Sequence, residues 1–267
     1  MKKFFVAIMV LAVVNFSKAQ DVKTDSTTTP KKVRKSNGNS SYANTNGGSS
    51  ILKTSGHPAD HFLIQFGSDS WTNKPASADS GSTNGGRHFN IYYMIDKPFK
   101  TNPKFSVAYG VGLGTSNIYF KNSIVDIKSG NTLQIHNAGN NNRFDKLKVT
   151  EIFLEIPVEL RYNFNNPNEP SKSWKMALGA KVGTLLKSYT KGKNLVKSDG
   201  SSVYGPTYIE KEYSKKFFNS TRLTFTGRVG YGMLSLNAAY TITPVAKSGF
   251  FATEMNTFSL GLCISGL

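Results

Sequence analysis

Cysteine is almost missing from this chain. The single Cys263 among 267 residues cannot form an internal disulfide. Acid is scarce as well: 16 Asp and Glu stand against 33 Lys and Arg, for a formal net charge of +17. That balance points to a phosphate-bearing partner, either nucleic acid or lipid. Histidine is limited to His57, His61, His88 and His136. None can be paired with a serine and an acid at one strand depth, so a hydrolase triad is not expected and the chain reads as non-enzymatic. No His, Cys or Asp cluster has metal-ligand spacing, and no cofactor is expected. Gly110, Gly112 and Gly114 alternate with no helix after them, which is not a dinucleotide loop. Past the N-terminus, no apolar run approaches the roughly 20 residues that a membrane-spanning helix needs.

What is present begins with Met1-Lys2-Lys3, an apolar stretch from Phe4 to Phe16, and Ser17-Lys18-Ala19-Gln20. A charged start, a short apolar run and small residues before the cut describe a secretory signal peptide over residues 1–19. No cysteine follows it, which excludes a lipoprotein anchor. Residues 20–60 are mostly Ser, Thr, Asn, Gly and Lys. They cannot bury enough apolar surface to offset their ordering entropy, and read as a disordered periplasmic arm. Its basic patch of Lys31, Lys32, Arg34 and Lys35 suits an acidic periplasmic protein or anionic head groups, while a plain spacer is the simpler reading.

The rest of the chain, 61–267, is organised around Val149 to Asn165, VTEIFLEIPVELRYNFN. Every second residue from Ile152 to Phe164 is apolar, while Glu151, Glu155, Glu159 and Arg161 share the opposite parity. Side chains alternate across a strand, so one face is apolar and one charged. A face this long and apolar suits lipid, with the carboxylates turned to a lumen. A solvent-facing strand of a soluble β protein, or a soluble periplasmic binding barrel, is the rival. Similar alternation starts at Phe62, Phe89, Phe105, Trp174, Leu223, Leu234 and Phe258, giving about eight strands. Short turns are expected near Pro98–Pro103, Pro167–Pro170 and Gly230–Gly232, with long polar loops between them at Thr72–Gly86, Thr115–Lys148, Ser188–Lys216 and Pro244–Thr253. That asymmetry belongs to an all-β, antiparallel up-and-down transmembrane β-barrel.

The inward set on neighbouring strands holds Glu151, Glu155, Glu159 and Arg161, then Lys175, Lys181 and Lys187, then Arg222 and Arg228. Acid and base ladders would face each other, and a buried charge without a partner is costly, so pairing is expected, with Lys181 the leading partner of Glu155 and Glu159. A barrel of about eight strands can be filled by its side chains, which argues against a wide pore. The small face of Gly110, Gly112 and Gly114 suits a tightly curved wall or large neighbours leaning over it. In the Ser188–Lys216 loop, Lys191, Lys193, Lys215 and Lys216 would meet phosphates of outer membrane lipid or lipopolysaccharide, beside interleaved tyrosines. Export and alternation favour lipid phosphate over nucleic acid.

Leu154-Glu155-Ile156-Pro157-Val158-Glu159-Leu160-Arg161-Tyr162-Asn163-Phe164 resembles the LEIP-plus-strand signature of the PorT-like outer membrane β-barrel domain common in Bacteroidota. Ala239-Tyr240-Thr241-Ile242-Thr243-Pro244 and Phe258-Ser259-Leu260-Gly261-Leu262 look like that family's later elements. The resemblance spans His61 to Leu267 and implies a small integral barrel. The chain departs from many outer membrane proteins in ending Ser265-Gly266-Leu267 and not in an aromatic residue. Three function classes follow: a non-enzymatic barrel for envelope structure or surface interaction, a subunit of a secretion or assembly machine, and a narrow porin or lipid-modifying barrel enzyme.

Overall fold

The computed structural model describes residues 62–74, 82–164, 173–250 and 253–265. The signal peptide, the arm, His57, His61 and the turn at Pro167–Pro170 lie outside the described residues. The described residues form eleven strands: β1 (Phe62–Thr72), β2 (Ser82–Pro98), β3 (Phe105–Phe120), β4 (Ser123–Asp126), β5 (Gln134–Asn137), β6 (Arg143–Asn163), β7 (Trp174–Val196), β8 (Ile209–Tyr213), β9 (Thr221–Tyr231), β10 (Leu234–Thr241) and β11 (Asn256–Ser265). Eight of them, β1, β2, β3, β6, β7, β9, β10 and β11, pair in chain order, all antiparallel, and β11 returns to β1. The sheet is a closed up-and-down barrel, which leaves no free edge around the ring.

Period-two alternation decides what each face meets. Outward, Leu178 is 70% exposed and Leu236 65%, and exposed apolar residues recur on every ring strand. An apolar band of that extent is a lipid-facing surface. Aromatic pairs flank it at the short-turn end, among them Phe62 with Tyr93, Phe105 with Tyr162, and Trp174 with Tyr231. Such rings suit the membrane–water boundary, since one part is apolar and the other polar. The β9–β10 turn falls at Gly232-Met233, one step later than the sequence suggests, with Gly232 at a φ of 60°.

The long connections differ from the polar loops expected. Ile118, Phe120, Val125, Ile127, Leu133, Ile135 and Leu147, all from the Thr115–Lys148 stretch, are buried. They pack with Trp71, Val149, Phe153, Leu185, Phe217, Phe218, Val245, Ala246 and Met255 into one apolar cluster at the long-loop end. The β4–β5 hairpin supplies several of these residues through its own short alternation. The Ser188–Lys216 stretch is likewise no irregular loop: β7 runs on to Val196 and pairs with β8.

One facing expectation is overturned. The register of β6 on β7 slips between Ile152 and Phe153, so Lys187 pairs with Ile152 and Leu185 with Phe153, leaving Leu186 as the extra residue. The bulge reverses the parity of everything beyond it. Lys187 therefore leaves the lumen ladder and lies on the outside, with its Nζ 4.6 Å from the Tyr213 ring centroid.

Candidate functional site

The middle of the lumen is ionic. Glu155 is fully buried and collects partners from three other strands. Its Oε1 accepts from Arg222 Nε on β9 at 2.7 Å. Its Oε2 accepts from the Tyr92 hydroxyl on β2 at 2.5 Å and from Lys181 Nζ on β7 at 3.2 Å. Lys181 also donates to the Tyr92 oxygen at 3.0 Å, and the Arg222 guanidinium stacks 3.9 Å over the Phe153 ring. Nearer the short turns, Glu159 Oε2 accepts from Arg161 Nε at 2.9 Å and from Arg228 at 2.8 Å. Arg228 continues to the Ser265 hydroxyl at 3.2 Å, and Arg161 lies 3.9 Å from Asp96. Charge-assisted bonds of this kind are the ones strong enough to offset the loss of water around buried ions.

Glycine makes the room. A Cβ on Gly112 would strike the Tyr92 ring, and one on Gly114 would strike the Glu155 carboxylate and Arg222. On β7, a Cβ on Gly183 would come within 3.0 Å of Glu155 Cγ. Large side chains leaning across the wall are thus the reason for the small face of β3. Glu151 is buried on the same face beyond Phe153, nearer the loops, but it makes none of these ion pairs. Lys175 sits half-buried at the short-turn end. Cys263 is buried against Leu63, Tyr92, Met94 and Ala108, as packing.

A second cluster was missed by the sequence reading. Asp69, from β1, lies 2.8 Å from His88 Nδ1 and accepts from Ser259 Oγ at 2.6 Å and Ser116 Oγ at 2.5 Å. The expectation that no histidine meets a serine and an acid is therefore wrong as geometry. Parity alone places Asp69 and His88 inward, but only the register of β1 with β2 and β11 brings them to one level. The wiring is not that of a nucleophile. Both serines donate to the carboxylate, and His88 Nε2 has no hydrogen-bond partner among the described residues. A general base must hold the nucleophile's proton, and here neither hydroxyl is bonded to the imidazole.

Asp69, His88, Ser116, Lys181, Arg222 and Ser259 are among the residues lining a polar chamber between the two clusters. It leaves about 20 Å³ for water centres, on the scale of one ordered water. No group of acids, histidines and cysteines among the described residues could hold a metal ion. Of the four lysines singled out by sequence, Lys193 and Lys215 are exposed and Lys191 half-buried. Lys216 donates to the Gly130 carbonyl at 3.0 Å and lies 5.1 Å from the Phe217 ring centroid.

Residues 47–244 match the outer membrane protein beta-barrel domain. The chain belongs to this outer membrane β-barrel family. Membership locates the protein in the cell outer membrane, with the apolar band in lipid. Among solved structures, the chain is similar to Ail, the attachment invasion locus protein of Yersinia pestis, in complex with the heparin analogue sucrose octasulfate. Identity is 12%, coverage 76% of this chain and 95% of that one, and the TM-score 0.28. A second crystal structure of Ail gives 11%, 76%, 94% and 0.29. No curated protein sequence matches the chain.

Proposed function

We propose that this family member is a non-enzymatic envelope barrel with a closed lumen, whose outer end engages the cell surface. The carrying observation is the Glu155–Lys181–Arg222–Tyr92 network, which ties four strands together across the lumen. Above it the apolar cluster fills the loop end. Ions crossing that path would have to break paired buried charges and then enter hydrocarbon-like packing, both costly steps. The bonding around Asp69 supports the non-enzymatic part. Export through a signal peptide cleaved after Ala19, and contact of the outer end with lipid phosphate, belong to the same reading. Planar-bilayer recording of the purified full chain is expected to show no unitary conductance. Reproducible conductance steps would end the closed-lumen reading.

The PorT-like resemblance of Leu154–Phe164 favours a second reading, a subunit of a secretion or assembly machine. A pull-down comparing the full chain with one lacking residues 20–59 tests it. Loss of a periplasmic partner on deletion would support this reading, and identical captures would remove the arm from it.

A further inference from the structure

The outer extension of the barrel separates its charges by face. Beyond the bulge, β6, β7 and β8 form a three-stranded ribbon. Lys148 pairs with Lys191, and Lys191 pairs with Lys211, so three lysines stand in one cross-strand row. The next row outward is Lys146, Lys193 and Ile209. The row beneath carries Tyr189 and Tyr213, with ring centroids 5.4 Å apart. The carboxylates of these strands take the opposite parity: Glu210 and Glu212 sit across from Gly192 and Thr190, both buried positions. Asp145 is exposed beside Lys146 at the outer limit of the face, where Phe144 turns inward to pack over Gly192.

Like charges directly opposite on paired strands destabilise a sheet. Here the strands are only about 5 Å apart, so the row repels itself unless something anionic covers it. Lys148 is only partly relieved, by donating to Asn117 Oδ1 at 2.7 Å. We propose that this face, built on Lys148, Lys191 and Lys211 and extended by Lys146 and Lys193, docks onto phosphates of outer-leaflet glycolipid. The inference rests on the reading of the outer end as a surface-engaging region. Height selects the occupant. On β7 the lipid-facing Val182 and Leu186 lie below, then Lys187 and Tyr189, and Lys191 follows roughly 7 Å further along the strand at the usual rise. Tyrosine marks the boundary of the hydrocarbon, and lysines just beyond it meet the phosphate layer. The ammonium groups are compact point charges suited to phosphate. Lys215 and Lys216 fall outside this set: Lys215 lies past the end of β8, and Lys216 is bonded to Gly130.

The test titrates full-chain protein with phosphorylated lipopolysaccharide and with the same lipid enzymatically dephosphorylated, over a salt series. The wild type is expected to prefer the phosphorylated form at least tenfold. K148Q/K191Q/K211Q is expected to lose at least tenfold and to flatten the salt dependence. K97Q/K100Q/K104Q, which removes the same charge at the short-turn end, is expected to stay within twofold. K191Q alone is expected to fall between. Equal affinity for the two lipids, or equal loss in both triple variants, overturns the proposal. So does full competition by a soluble sulfated polysaccharide at equal charge, which would assign the face to a soluble polyanion. Without lipid, the row variant should melt no earlier than wild type, because repulsion has been removed. An earlier melt would make the lysines structural and overturn the docking role. Conductance would defeat the closed lumen without touching these outcomes.

Discussion

Lys181 and Glu155 meet on a diagonal. In the β6–β7 register Lys181 is opposite Pro157 and Glu155 opposite Gly183, yet Nζ reaches Oε2 at 3.2 Å. Gly183 leaves the space that the Glu155 side chain takes up, with Arg222 beside it. Opposite charges so placed inside a barrel hold its register as well as its fold.

Removing one member of this pair should therefore cost more than the pair contributes. Lys181→Met is expected to lower unfolding free energy by about 3 kcal/mol, because Glu155 keeps its charge with one cation fewer. Adding Glu155→Gln to that background should recover part of the loss. Urea unfolding of the refolded barrel in lipid vesicles measures both, and strict additivity would show that the two side chains are not coupled.

Gly112→Ala should cost about 1–3 kcal/mol, since its methyl lands on the Tyr92 ring and on backbone. Gly227→Ala is the comparison, because its Cβ would meet only Leu178 at an ordinary 3.7 Å. Equal effects at the two sites in the same unfolding assay would rule out crowding as the reason for glycine on β3.

Asp69→Ala should destabilise by about 1–3 kcal/mol or more, since it leaves His88, Ser116 and Ser259 short of an acceptor in a closed lumen. Asp69→Asn should retain part of the stability through its remaining carbonyl oxygen. If alanine and asparagine proved equivalent to wild type, the cluster would have no structural weight.

At the outer end, the Asp126 carboxylate turns the β4–β5 hairpin. Burial would raise its pKa, but the backbone amides of Lys128 and Ser129, both at 2.8 Å, outweigh that and hold it below its ordinary value. A depressed acid stabilises at pH above its unfolded pKa, and the contribution fades as pH falls through the folded value. The amide chemical shifts of Lys128 and Ser129 should titrate together with a midpoint below 3.8. A midpoint at or above that value would show that the turn does not hold the ionised form.

Much of the barrel is written locally. Alternation on β2, β3, β6 and β10 needs no partner to be read, because strand geometry alone sends Tyr92 and Glu155 one way and Ile91 and Ile156 the other. Even the glycine face of β3 signals that something large leans over it. The apolar cap had a signal too: Ile124-Val125-Asp126-Ile127 and Leu133-Gln134-Ile135 alternate over stretches too short to stand out from the polar residues around them.

By itself the sequence determined a closed sheet in the outer membrane and, on most strands, which side chains meet lipid. That follows because parity is a property of consecutive residues. Tertiary structure alone decided the rest. One extra residue at Leu186 turned Lys187 outward and put Tyr189, Lys191 and Lys193 on a common outer face. Register between paired strands brought Asp69 to His88, Lys181 to Glu155, and Lys148, Lys191 and Lys211 into a row. Register is set by the summed fit of whole strands, bulges included, and a shift of one residue would exchange every facing partner.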